Sequence, residues 1–85
     1  MTVEATLESV QAIVARVAGR APAGAGPDTP LTEGGFGLDS VNLLRTIFEC
    51  EETFQVVFDP DRDFTDHTLR TARTLFDLIR SKRAG

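Results

Sequence analysis

Between Gly19 and Leu38 the chain reads GRAPAGAGPDTPLTEGGFGL, a stretch that limits the folds open to it more than any other. It holds six of the seven glycines and three of the four prolines, so no regular element persists across it. A structureless loop of about 20 residues is exceptional in a small domain unless it is functional or anchored. Leu31 and Phe36 are the anchors available, and Pro22, Pro27 and Pro30 reduce the entropy the unfolded loop would have to lose. Regular structure must therefore lie on either side.

It does so as helices. Val3, Leu7, Val10, Val14 and Val17 recur at spacings of four and three, with Ile13 beside them, forming one face of a first amphipathic helix. Glu4 and Glu8 lie early in it and Arg16 and Arg20 late, matching the helix dipole, and Gly19 can end it. A second helix is expected from Asp39 or Ser40 to about Phe54, with Leu43, Ile47, Cys50 and Phe54 on one stripe and Leu44 flanking it. Val41 and Phe48 fall off that stripe, on the outer face of an acidic helix. The run Val56–Phe58 has strand composition but no partner strand, and reads as an extended, buried connector. Asp59 and Pro60 fit the N-cap and first residue of a short third helix near Asp61 to Thr65, with Phe64 turned inward. Thr71 caps a last helix whose apolar face is Ala72, Leu75, Phe76, Leu78 and Ile79, with Arg80, Lys82 and Arg83 at its C-terminal end. The expectation is an all-α fold, three main helices plus one short helix with a long first loop, in a single domain over residues 1–85.

With 85 residues the core is modest and leaves little room for a deep cleft. A 41% hydrophobic and 26% charged composition is that of a soluble globular protein. No apolar run approaches the roughly 18 residues of a membrane span, and the acidic N-terminus lacks a signal-peptide core, so the expected location is the cytoplasm. One cysteine, Cys50, and one histidine, His67, exclude a disulfide or an intrinsic zinc or iron–sulfur site within one chain. Cys50 falls on the apolar stripe and reads as a core residue rather than a reactive thiol. A net charge of −4 argues against nucleic-acid binding despite the basic residues near the C-terminus. Of residues 1–38, 39–54 and 55–85, the most negative segment is 39–54, with four acidic residues and one arginine.

The segment GFGLDSVNLL raises the question of chemistry. Asp39 and Ser40 stand together before an aliphatic run, and either can cap the helix, which leaves one of them free. A nucleophilic Ser40 would need His67 as its base, but GLDS is not the elbow pattern with glycine on each side of the serine. GGFG lacks the lysine and the preceding strand of a phosphate-binding loop. No catalytic residue is assigned. As a substrate, Ser40 is well placed: a phosphate ester there would meet free N–H groups and the positive end of the helix dipole.

At these residues the sequence resembles the acyl and peptidyl carrier proteins. TPLTEGGFGLDSVNLLRTIFECEETF is similar to their loop and second helix, with the signature Gly-x-Asp-Ser-aliphatic at Gly37, Leu38, Asp39, Ser40 and Val41, and LRTARTLFDLI is similar to their final helix. The resemblance implies a four-helix carrier-protein bundle. It implies that Ser40 receives 4′-phosphopantetheine from coenzyme A through a magnesium-dependent phosphopantetheinyl transferase, while Asp39 caps or orients. The arm's thiol would hold an acyl or aminoacyl group as a thioester, supplied by a loading enzyme and passed to a downstream synthase or transferase. Val41, Arg45, Phe48 and Glu52, spaced four, three and four, then form a partner-docking face. Arg45 stands where fatty-acid carriers usually have an acidic residue, and DPDRDFTDHT is slightly longer than in those proteins. Both point to a discrete, monomeric carrier of a polyketide or other specialised pathway, with a peptidyl carrier of a nonribosomal pathway as the alternative. A small helical interaction domain without a cofactor is the reading from another class.

Overall fold

The computed structural model describes residues 5–84, and four helices occur among them: α1 (Leu7–Ala18), α2 (Ser40–Phe54), α3 (Pro60–Asp63) and α4 (Ala72–Ala84). No strand occurs among these residues, as the all-α expectation requires. Val3 and Glu4, expected in the first helix, lie outside the described residues.

The first helix begins later than its apolar spacing suggests because Thr6 and Ser9 cap each other. Thr6 Oγ1 accepts from the Ser9 N–H at 3.0 Å, and Ser9 Oγ accepts from the Thr6 N–H at 3.0 Å. At the other end Gly19 adopts φ 77°, and its N–H reaches the Ala15 and Arg16 carbonyls. The second helix is capped by Asp39, whose Oδ1 accepts from the Asn42 N–H at 2.8 Å. It ends at Gln55, a left-handed residue whose side-chain amide donates to the Glu52 carbonyl at 2.8 Å.

The larger part of the core lies among α1, α2 and α4. Val10 and Ile13, Ile47, Cys50 and Phe54, and Ala72, Leu75 and Ile79 meet there, closed at one end by Val56 and Phe58. Thr46 is buried with them without stranding its hydroxyl, which donates to the Asn42 carbonyl at 3.0 Å.

A smaller cluster holds the long loop. Leu31, Phe36 and Leu38 pack on Val14 of α1, so the two expected anchors are buried and Leu38 adds a third. Backbone bonds tie the same segment: Leu31 donates to Arg70 and accepts from Leu38, both at 2.9 Å, and Pro30 bridges to Thr71. A Cβ on Gly35 would collide with the Pro30 carbonyl oxygen, so this close turn requires glycine. Nearer α4, the Arg73 N–H donates to the Pro27 carbonyl at 3.0 Å and the Arg73 guanidinium pairs with Asp28 at 2.8 Å.

Two features of the second half differ from expectation. The connector after α2 is extended, but its residues alternate: Val56 and Phe58 are buried, whereas Val57 is 81% exposed. The short helix stops at Asp63 rather than near Thr65, because Thr65 and Thr68 offer the chain another set of bonds. Each hydroxyl accepts from the other's N–H, at 3.0 and 3.1 Å, and Thr68 Oγ1 also donates to the Asp63 carbonyl. Phe64 is half-buried as expected, its ring 6.0 Å from that of Phe58. In α4 Thr71 caps reciprocally with Thr74, and the Arg83 guanidinium donates to the Phe54 carbonyl at the end of α2.

Truncating Leu31 or Phe36 to alanine should destabilise by about 2–5 kcal/mol, because both vacate buried volume that the loop cannot refill. Denaturant unfolding with an unchanged m-value is the measurement.

The α3 turn is latched through Asp63, whose Oδ2 accepts from the Asp59 N–H and from Lys82 Nζ, each at 2.6 Å. The Asp59 N–H first, and Lys82 second, hold the Asp63 carboxyl below its ordinary range. A lowered folded pKa contributes stability above the unfolded value, near 4, and that contribution disappears as the pH falls through the folded value. Asp63→Asn should therefore flatten the acid limb of a stability-against-pH curve below about pH 4 and leave its slope near neutrality unchanged.

Candidate functional site

Ser40 is the first residue of α2 and is exposed. The arrangement around it answers the question of which polar residue caps. Asp39 takes the Asn42 N–H, and Ser40 Oγ makes no hydrogen bond among the described residues. Neither the Ser40 nor the Val41 N–H has an acceptor among them, as expected of the first amides of a helix. An exposed hydroxyl thus stands beside two free donors at the positive end of a 15-residue helix. This donor set suits a phosphate ester.

The segment in front is shaped by bonds rather than by regular structure. Gly37 has φ 71°, a left-handed value that favours glycine, and its N–H donates to the Thr32 carbonyl at 2.9 Å. Leu38 is buried in the loop cluster, so Asp39 and Ser40 emerge from an anchored residue.

Among the described residues no side chain is hydrogen-bonded to the serine hydroxyl as a general base would be. His67 is exposed in the segment between α3 and α4 and forms no hydrogen bond with Ser40. Cys50 is fully buried, and burial, helped by the charge of neighbouring Glu49, pushes its thiol up to about 12. Such a thiol is protonated and inaccessible at neutral pH. Among the described residues no group of three or more histidine, cysteine, aspartate or glutamate side chains could hold a metal ion, and no helix is long and apolar enough to cross a membrane.

The outer face of α2 carries apolar side chains in water. Val41 is 67% exposed and Phe48 57%. Leu44, which the sequence reading placed beside the core stripe, is 43% exposed and lies between them at spacings of three and four, so it belongs to the outer row. Val57 joins this surface where a shallow groove of about 490 Å³ is lined by Phe48, Glu51, Glu52, Gln55, Val56 and Val57. The signals for both additions were in the sequence: helical spacing for Leu44 and the two-residue period of an extended segment for Val57.

The charged members of the predicted face take different positions. Arg45 is exposed on the flank towards α1, where it lines a small depression with Arg16, Val17 and Glu49. Arg16 and Glu49 form an ion pair there, which leaves Arg45 without a carboxylate partner among the described residues. Glu52 is exposed at the groove, whereas Glu51 turns inward and accepts from the Phe58 N–H at 2.9 Å. On the opposite side of α2 a second groove of about 490 Å³ opens between the long loop and the segment before α4. Leu43, Phe64 and Leu69 are among its apolar lining and Thr32, Thr65 and Thr71 among its polar lining.

Comparison with curated proteins yields no match, and neither does comparison with solved structures. The phosphopantetheine attachment site family, in contrast, matches residues 8–78, from the first turn of α1 to the middle of α4. That span covers most of the chain and includes the loop, the exposed serine and the apolar row of α2, so the protein belongs to the family of carrier domains that bear covalently attached 4′-phosphopantetheine.

Proposed function

We propose that this protein acts as an acyl carrier in a polyketide or other specialised-metabolite pathway, with Ser40 as the attachment residue. The observation that carries this reading is the free, exposed Ser40 hydroxyl at the head of α2, beside an aspartate that already caps the helix. In the modification, Ser40 Oγ forms a bond to the phosphorus that bears the pantetheine in coenzyme A. The pyrophosphate bond breaks, adenosine 3′,5′-bisphosphate leaves, and the serine proton passes to the phosphopantetheinyl transferase. The carrier supplies an accessible oxygen and the free Ser40 and Val41 N–H groups, which suit the charge of the resulting phosphodiester. When attached, the arm supplies a terminal thiol that holds an acyl or aminoacyl cargo as a thioester. The protein itself is a carrier, not a catalyst, and coenzyme A as donor suits a cytoplasmic location.

The outer face of α2 is the surface over which partners dock. Val41, Leu44 and Phe48 provide apolar contact, and Arg45 on one edge and Glu52 near the other set orientation. Arg45 offers a positive point on an acidic helix, so the loading enzyme or downstream synthase presents a carboxylate to it. The same arginine supports a specialised pathway over fatty-acid synthesis.

Incubation with coenzyme A and a broad-specificity transferase should add one phosphopantetheine, mapped to Ser40 by peptide mass. Ser40→Ala should remain folded within about 0.5 kcal/mol and gain nothing, because Asp39 holds the cap. Asp39→Ala should cost about 0.5–2 kcal/mol of stability. Modification of the Ser40→Ala protein would overturn the assignment.

For docking, Arg45→Glu should leave the melting temperature nearly unchanged, since exposed charges contribute little to stability. It should slow transfer with the cognate partner most strongly at low salt. Phe48→Ala should weaken the same step by about 1–2 kcal/mol with little salt dependence. Transfer rates equal to wild type in both variants would place docking on another face.

A further inference from the structure

The cationic side chains of this protein are mostly engaged. Arg16 pairs with Glu49, Arg73 with Asp28 and Lys82 with Asp63, while Arg83 bonds to the Phe54 carbonyl and Arg80 lies 5.7 Å over the Phe76 ring. The Arg20 side chain, like those of Arg45, Arg62 and Arg70, has neither an ion pair nor a hydrogen bond among the described residues, although the chain is acidic. Its distinction is its neighbour. The left-handed turn at Gly19 ends α1 and redirects the chain, and a terminal guanidinium nitrogen of Arg20 lies 3.9 Å from where a Cβ on Gly37 would stand. Gly37 is three residues before Ser40. An open guanidinium from the far end of the long loop therefore lies beside the segment that presents the serine, and Asp39 does not pair with it.

Four residues earlier in the chain than Arg20, before the turn at Gly19, Arg16 meets Glu49, and Arg45 shares their depression between α1 and α2. Two arginines against one glutamate give this depression a positive balance in a protein of net charge −4. We propose that Arg20 binds the phosphodiester of the arm, with Arg45 adding longer-range attraction. This rests on attachment at Ser40. A phosphodiester presents two non-bridging oxygens that share one negative charge, the geometry a planar guanidinium matches with two parallel N–H bonds. The free Ser40 and Val41 amides would approach the same group from the helix side. Arg20 is then a positioning residue: it fixes the root of the arm against Gly37, towards α1.

The test uses the whole chain, labelled with ¹⁵N and converted to the phosphopantetheine form with coenzyme A and a broad-specificity transferase. Intact mass and peptide mapping come first, so a failure of attachment at Ser40 is seen before any measurement on Arg20 and would remove both readings. In the modified protein, the Arg20 Nε–Hε resonance should move relative to the unmodified protein. The arm's ³¹P resonance should differ between wild type and Arg20→Gln. Arg20→Lys, which keeps the charge but not the fork, should recover only part of that difference. The unmodified Arg20→Gln protein should retain the wild-type amide spectrum away from residues 19–21 and 35–40, which separates phosphate contact from a folding role. An Arg20 resonance unmoved by modification, or a ³¹P resonance identical in wild type and Arg20→Gln, would overturn the proposal.

Discussion

The insertion of Leu31 into the space beside Val14 is the contact on which the rest of the structure depends. A loop of 20 residues with six glycines has a large entropy to lose, and few of its side chains can offset that loss. Leu31 is fully buried, its N–H donates to Arg70 and its carbonyl accepts from Leu38, so one residue ties the loop to the core, to the entrance of α4 and to the entrance of α2. Phe36 and Leu38 complete the cluster, and Gly35 allows the chain to turn back against Pro30. The location of Ser40 follows from this, because it stands two residues beyond buried Leu38.

Polar groups near the helix ends divide their tasks by what each can accept. Asp39 receives the Asn42 N–H, so the neighbouring hydroxyl need not. Threonines do the equivalent work elsewhere: Thr6 caps with Ser9 and Thr71 with Thr74, while Thr65 and Thr68 satisfy each other and stop α3. Among the described residues every buried side-chain nitrogen and oxygen has a partner, which leaves the unbonded polar groups at the surface, where function can use them. The ion pairs follow the same logic of place: Asp63 with Lys82 joins α3 to α4, and Asp28 with Arg73 joins the loop to α4.

Much of the fold was legible because helical periodicity is a local signal. The core stripe of α2 through Ile47, Cys50 and Phe54 is buried as its spacing implies, and Leu31 and Phe36 stood out as the large apolar side chains of the 28–37 part of the loop. The errors came where a residue fits two faces or two bonding patterns. Leu44 is one residue from the core stripe and also in register with Val41 and Phe48, and only packing against α1 and α4 decides which face it joins. Val57 sits in an apolar run, yet an extended chain turns alternate residues outward. The helix α3 ends before Thr65 because the Thr65–Thr68 exchange competes with one more helical turn.

The sequence by itself determined the helices, the anchored loop and the choice of Asp39 and Ser40 as the polar pair at the head of α2. These depend on spacing, capping chemistry and residue inventory, which act over a few positions. The tertiary structure alone decided which of the pair caps, which arginines are neutralised and which remain open, and that Arg20 from the end of α1 lies beside Gly37. Those outcomes depend on where distant segments meet. Charge pairing and close approach are set by distances through space, and no local pattern in the chain encodes the distance between residues 20 and 37.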